Sequence, residues 1–135
     1  MALVLPLLLL VVLGIMDFGL LFQQYEVVTN AAREGARIGV LPAYQANRLA
    51  NVQARVDQYV TAGLIGGGAV TTTVGGPTAV VIGGNCMETI TVNVAYPHAY
   101  IFLAGIGAYF GGTFGTTTLH ASSTMRLEAP AGTCP

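Results

Sequence analysis

The chain opens on an apolar run that is long enough to cross a membrane as a helix. Residues 1–16, MALVLPLLLLVVLGIM, carry no charge, and the run continues through Phe22 with Asp17 as its sole charged residue. A helix over residues 1–22 would be about 33 Å long, which is enough to span a bilayer. No basic residue precedes the run and no obvious cleavage site follows it, which argues against a secretory signal peptide. We therefore predict a retained membrane span or a buried assembly helix.

Four residues inside this run qualify that prediction. Pro6 lacks a backbone donor, so the helix either begins close to it or bends there. Gly14 and Gly19 weaken a lone helix more than one that is packed among neighbours. Asp17 has two interpretations. It marks the membrane–water boundary, or it is a buried partner for a cation on another subunit, because an isolated carboxylate in hydrocarbon is costly.

The next segment, TNAAREGARIGV at residues 29–40, has a face of small residues. One row with i, i+4 spacing and the row beside it would let another helix approach closely. These rows consist of Ala31, Gly35 and Gly39, and of Ala32 and Ala36. The face has two possible partners: helices of neighbouring subunits in an assembly, or the chain's own C-terminal domain.

The same segment carries three charges, Arg33, Glu34 and Arg37. Glu34 and Arg37 are three residues apart and close enough to pair on a helix. We expect these charges to serve as packing contacts, and we predict that Glu34 lies within salt-bridge reach of an arginine in its own chain or a neighbour.

The rest of the sequence predicts a small α+β domain. Leu41-Pro42 ends the first helix, since the residue before proline disfavours helix. A second, amphipathic helix is predicted at about 43–63 from apolar residues at helical spacing. Those residues are Leu49, Val52, Val56, Tyr59 and Val60. We divide the chain into an assembly helix, 1–41, and a globular domain, 42–135.

Beyond the glycines at 66–68 the pattern changes to β-strands rich in β-branched residues. Strands are predicted at about 69–74, 78–83, 87–96 and 116–128, and together they form an antiparallel sheet covered by the helices. The clearest alternation places Ile90, Val92, Val94 and Tyr96 on one face. The apolar stretch 98–114 is interrupted by glycines, so we expect a short helix or hydrophobic loop, buried against a neighbouring subunit.

Composition excludes some partners. Charged residues make up 8% of the chain, all five cations are arginines and the net charge is −1, so no basic patch is available for a nucleic acid. Cys86 and Cys134 are the only cysteines. One disulfide in an oxidising compartment is the economical interpretation, with two buried thiols as the alternative.

No motif indicates catalysis, a metal or a cofactor. The possible zinc ligands are two cysteines and two histidines, Cys86, His98, His120 and Cys134. They include no close pair of the kind that structural zinc sites use. Ser122 and Ser123 lie near His120, but no nucleophile-elbow pattern accompanies them. We therefore expect a protein that is not an enzyme and has no cofactor.

The N-terminal motifs resemble a known family. The stretch ALVLPLLLLVVLGIMDFG and the core NAAREGAR at 30–37 are similar to those of the TadE-like family of pilin-related proteins, found in tight-adherence (Flp) pilus systems, which are related to type IV pili. The resemblance is close over residues 2–40. It is weaker at the strand end 91–97 and at ASSTMRLE, 121–128.

The resemblance implies how the protein is processed and assembled, and which partners it has. A leader is removed by a prepilin peptidase, and the apolar helix is inserted in the cytoplasmic membrane and then moves into an extracellular filament of identical copies. Other pilus components are further partners, and adhesion to surfaces is the expected role. The alternative is a minor pilin, scaffold or adhesin that remains anchored in the membrane. Family members carry a glutamate near the mature N-terminus, where this sequence has Met1. Either the sequence lacks its true beginning, or a mature form assembles without that glutamate, and in the second case Asp17 becomes the candidate for electrostatic registration between subunits.

Overall fold

A computed structural model describes residues 4–64, 68–83, 85–109, 111–112 and 115–127. It confirms the predicted α+β class, with a long N-terminal helix, a second helix and an antiparallel sheet. Three helices and three strands occur in the described ranges: α1 (Val4–Val40), α2 (Arg48–Gly63), β1 (Thr71–Ile82), β2 (Asn85–His98), α3 (Phe102–Tyr109) and β3 (Thr117–Arg126). The strand order is β1-β2-β3, and both pairings are antiparallel.

Helix α1 joins the apolar half and the small-residue half into one uninterrupted element. Pro6 lies in its first described turn, in agreement with the prediction that the helix begins close to it or bends there. The helix ends at Val40 because Leu41, which precedes Pro42, takes the extended conformation, with φ −71° and ψ 132°. The chain then turns through a short 3-10 helix, Pro42–Asn47, before α2 begins.

The core lies between the sheet and the C-terminal half of α1. The alternation predicted for β2 is confirmed, because the four side chains on its inner face are almost fully buried: Ile90, Val92, Val94 and Tyr96. Leu119 and Ala121 of β3 continue this buried face. Val28 and Ala32 of α1 pack against it with no exposed surface, so half of the long helix belongs to the folded domain's core.

Two strands predicted at 69–74 and 78–83 are in fact one strand, β1. The Gly-Gly-Pro sequence that suggested a break forms a bulge, seen as a shift of pairing register between Gly75 and Thr78. Gly76 has φ +103°, and a Cβ there would lie 2.7 Å from the carbonyl oxygen of Thr89. Glycine thus bends the strand here without ending its pairing.

The second helix also differs from the prediction. It begins at Arg48 rather than near residue 43, because the chain after Pro42 first forms the 3-10 turn. Leu49 and Tyr59, expected on the buried face, are 53% and 38% exposed, whereas Val52 and Val56 are fully buried. The stretch 98–114 contains the short helix α3, which is one of the two predicted alternatives.

Candidate functional site: the long N-terminal helix

The first turns of α1 present an apolar surface that nothing in the described chain covers. Its side chains are exposed from Val4 to Val12. The helix is long and apolar enough to cross a membrane, and only 6% of its most apolar 18-residue window is buried. The core helix of a soluble protein would be mostly buried, so this half of α1 needs lipid or another protein against it.

The small-residue face of α1 is filled by the chain's own α2 and sheet. A Cβ on Gly35 would lie 2.7 Å from Cγ2 of Val56, and one on Gly39 would lie 3.2 Å from Cγ2 of Val52. The alanines of these rows, Ala31, Ala32 and Ala36, have no exposed surface. The small residues therefore bring α2 close to α1 within one chain, which is the second of the two partners considered for this face.

Glu34 ties α1 to α2 electrostatically. Its Oε1 accepts hydrogen bonds from Arg55 of α2, from Nη2 at 2.8 Å and from Nε at 3.2 Å. Arg37 lies 3.4 Å from the same oxygen, so the pairing that their spacing predicts is present. The hydrogen bond from Arg55 holds the pKa of Glu34 below its usual 4.5, and the nearby charge of Arg37 adds to this effect. Arg33 is exposed.

Asp17 is fully buried in the middle of the apolar surface. Its two carboxylate oxygens accept hydrogen bonds from three consecutive backbone N–H groups at the start of α3. Oδ1 accepts from Ile101 and Phe102, at 3.1 and 3.2 Å, and Oδ2 from Phe102 and Leu103, at 3.1 and 2.7 Å. The carboxylate thus caps a helix of its own chain, an arrangement that neither sequence interpretation of Asp17 included.

A second buried polar contact lies two turns further along α1. Gln24 Oε1 accepts a hydrogen bond from Nδ1 of His98, at the end of β2, over 2.6 Å. Tyr100 stacks edge-on against His98, with ring centroids 4.9 Å apart, and its hydroxyl lies 3.0 Å from Oγ1 of Thr117. Asp17 and Gln24 therefore fasten α1 to both ends of the short connection between β2 and α3.

The structure does not test the roles predicted for the remaining site residues. A Cβ on Gly14 or Gly19 would meet no atom within 4 Å, and Pro6 is exposed, so their assembly roles stay predictions. Cys86 lies in β2, whereas Cys134 lies outside the described residues, and the disulfide also stays a prediction.

The two histidines do not converge on one site. His98 is buried on the inner face of the sheet, where it contacts α1, whereas His120 is exposed on the outer face of β3. Because side chains on opposite faces of a sheet point away from each other, these imidazoles cannot share a metal ion within this chain.

The sequence did not predict the contacts that three residues of this arrangement make: Gln24, Arg55, and His98, which was considered only as a possible zinc ligand. A signal for Gln24 exists, because Asp17, Gln24 and Ala31 follow each other at seven-residue intervals and so lie on nearly the same side of a helix. A polar residue in register with a buried small-residue row indicates a buried polar contact. His98 and Arg55 carry no comparable signal, since their partners lie 74 and 21 residues away.

Comparison with known proteins connects the N-terminal part of this helix to a family. The family model described as TadE-like protein matches residues 1–37. The match spans the apolar half of α1, Asp17 and the small-residue core, and it ends before α2 and the sheet. The weaker resemblances at 91–97 and 121–128 lie outside it. No curated protein and no solved structure matches the chain significantly.

Proposed function

We propose that this chain, whose residues 1–37 match the TadE-like family, is a structural, non-enzymatic subunit of a tight-adherence pilus or a related filament. The family connects it to pilus systems, and α1 is able to anchor it in a membrane. In the proposal, the exposed half of α1 first resides in the cytoplasmic membrane. It then packs against the same segment of other copies in an extracellular filament that serves attachment.

The observation that carries this proposal is the division of α1 into a free half and a fixed half. Its apolar half projects from the domain with its side chains exposed, whereas residues from Val28 to Val40 form part of the domain's core. A flexible tether would suffice for a simple anchor. A helix held rigidly at one end instead presents its apolar surface at a fixed orientation to the domain, which a regular helical assembly requires.

The contacts at the fixed end support this role. The close approach of α2 at Gly35 and the ion pair between Glu34 and Arg55 hold α1 on the domain. The hydrogen bond between Gln24 and His98 and the cap formed by Asp17 extend the attachment toward the apolar half. Force or packing transmitted along α1 would therefore act on the entire domain.

The alternative is a minor pilin or scaffold that stays in the membrane. It is favoured by one observation, which is that the chain entering α3 places a further apolar side chain beside α1, that of Ile101 at 57% exposure. This widens the surface that needs lipid or protein against it.

Fractionation with electron microscopy separates the two roles. Cells that express the complete chain with an epitope tag are sheared, and the released material is imaged with antibody-coupled gold. Labelled fibres in the sheared fraction support the pilus subunit. Label found only in the detergent-soluble membrane fraction contradicts it and supports the membrane-resident alternative.

A variant and a matched control show whether the exposed half of α1 is responsible. Leu8 is 63% exposed on α1, and Val81 is 64% exposed on β1. Leu8→Asp places a charge in the proposed packing surface and should abolish labelled fibres. Val81→Asp, at an equally exposed apolar site on the sheet, should leave them present. Equal fibre yields from the two variants would contradict an assembly role for this half of α1.

A further inference from the structure

Helix α3 lies beside the apolar half of α1 at a level where α1 is still lipid-like. Asp17 marks this level, because its carboxylate binds the first backbone N–H groups of α3. The apolar surface of α1 does not end there. Phe18 and Phe22 are 54% and 65% exposed, and the first exposed polar residue is Gln23. Gln23 lies six residue steps beyond Asp17 on the helix, so the start of α3 lies about 9 Å inside the apolar zone.

Backbone groups at both ends of α3 have hydrogen-bond partners within the chain. At the N-terminus, Asp17 accepts from three N–H groups. At the C-terminus, the N–H of Gly111 donates to the carbonyl of Ala108 at 3.3 Å, and that of Gly112 to the carbonyl of Gly107 at 2.8 Å. Gly111 has φ +73°, the left-handed conformation of a Schellman cap. Water would solvate uncapped ends, but hydrocarbon would not.

The segment that carries α3 is uncharged and largely apolar. Residues 99–119 contain no charged side chain, and Ile101 is 57% exposed. The segment leaves the sheet at His98 and returns at Thr117, and these two residues pair in the ladder between β2 and β3. The contact between Tyr100 and Thr117 closes the base of this excursion. An uncharged segment therefore connects β2 to β3, and its start contacts α1 at Asp17.

We infer that α3 is a membrane-embedded element, which enters the hydrocarbon beside α1 in the leaflet next to the folded domain. Lipid is the partner of this surface, because Ile101, which directly precedes α3 and is 57% exposed, continues the apolar surface of α1 at the level of Asp17. Amphipathic elements at membrane surfaces are buried by roughly 5 to 10 Å, which agrees with the level of Asp17. The hydrogen bonds at the two ends of α3 are compatible with burial in hydrocarbon, where water is not available to the backbone groups.

Asp17 has a specific part in this arrangement. Its charge within hydrocarbon would be costly if isolated. Three N–H donors and the positive end of the α3 dipole compensate for it. The carboxylate in turn allows the N-terminus of α3 to leave water. The Asp17 carboxylate and the N–H groups of α3 therefore make each other's burial possible. The part of the chain within the membrane then consists of α1 and α3 side by side, and not of α1 alone. The inference rests on the membrane stage of the proposed function, but not on filament assembly.

The absence of tryptophan from the sequence allows a direct test. Ile101→Trp, Leu8→Trp and Val81→Trp each introduce a single tryptophan at an exposed apolar site, on the α3 connection, on α1 and at the far end of the sheet. The complete chains are reconstituted into phosphatidylcholine vesicles. Emission is then measured with and without lipids brominated on their acyl chains.

We expect brominated lipid to quench the tryptophans at 101 and 8 strongly and the one at 81 at most weakly. Quenching at 8 without quenching at 101 overturns the inference and leaves the membrane anchor in place. Absence of quenching at both sites overturns the inference and also contradicts the proposal that α1 anchors the chain in a membrane. Blue-shifted emission at 101 without quenching shows that a second copy of the chain, and not lipid, covers α3, and this also overturns the inference.

A second variant tests the part assigned to Asp17. In the Ile101→Trp background, Asp17→Ala should reduce quenching at 101 while a companion Asp17→Ala, Leu8→Trp chain keeps its quenching at 8. Unchanged quenching at 101 would refute the role of the carboxylate in holding α3 in the bilayer.

Discussion

Leu103 donates its backbone N–H to Oδ2 of Asp17 over 2.7 Å, although the two residues are 86 positions apart in the sequence. This bond, with those from Ile101 and Phe102, fixes the end of the β2–α3 connection to the middle of the apolar helix. The only acidic residue of the apolar run thus has its partner within the same chain.

Removal of this carboxylate should release the start of α3. Asp17→Ala leaves three N–H groups without an acceptor in an apolar setting, and we expect a loss of about 1 to 3 kcal/mol in the local opening free energy. Hydrogen exchange of the amides of residues 101–103, in detergent micelles, measures this loss. Glu26→Ala, which removes an exposed carboxylate from the same helix, is the control. Equal protection in the two variants would contradict the capping role.

Close packing of α2 on α1 should make Gly35 intolerant of a side chain. A Cβ there would meet Val56 Cγ2 at 2.7 Å, so Gly35→Ala should lower the free energy of unfolding by about 1 to 3 kcal/mol. Gly14→Ala is the matched control, because its Cβ meets nothing and alanine favours helix by about 1 kcal/mol. Denaturant titrations of both variants in the same detergent measure the difference. A Gly35→Ala chain as stable as Gly14→Ala would show that the two helices are not in close contact.

The ion pair between Glu34 and Arg55 should make stability depend on pH. Because the folded state lowers the pKa of Glu34, its stabilising contribution is present above the unfolded pKa and is lost as pH falls through the folded pKa. We expect Glu34→Gln to reduce stability by about 1 kcal/mol at neutral pH. This difference should vanish as the pH falls below 4.5 and then through the lower folded pKa. The control is Glu88→Gln, at an exposed position on β2. A difference for Glu34→Gln that does not vary with pH would argue against the pair.

The buried contact between Gln24 and His98 should be visible in a double-mutant cycle. Gln24→Leu removes the acceptor of His98 Nδ1 and leaves a buried donor unpaired, at a cost of about 1 to 3 kcal/mol. Gln24→Leu combined with His98→Leu should be more stable than the sum of the single changes, since no buried polar group of the pair then remains. Strictly additive free energies of unfolding would show that the two side chains do not interact.

Most elements of the fold were predictable from local sequence patterns. The β2 face of Ile90, Val92, Val94 and Tyr96 was predictable because strand alternation depends only on neighbouring residues. The end of α1 was predictable because proline acts on the residue before it. The bulge at Gly75 was not, since Gly-Gly-Pro is compatible with either a turn or an irregular strand. The exposure of Leu49 was also missed, because helical spacing cannot specify how wide a face the neighbouring helix covers.

The functional contacts were less accessible to sequence reasoning. The pairing of Glu34 with Arg37 follows from helical spacing, but the shorter bond to Arg55 depends on how α2 folds back on α1. The partners of Asp17 are backbone groups, which every residue possesses, so no side-chain pattern could indicate them. Those contacts depend on the tertiary fold.

Cross-linking within assembled material tests the central claim most directly. A photoactivatable amino acid at Leu8, exposed on α1, is compared with one at Val81, which is equally exposed on the sheet. We predict that irradiation of the sheared filaments yields a ladder of covalent oligomers from position 8 and few from position 81. Filaments that contain the chain but give no oligomers from position 8 would contradict assembly through the apolar half of α1.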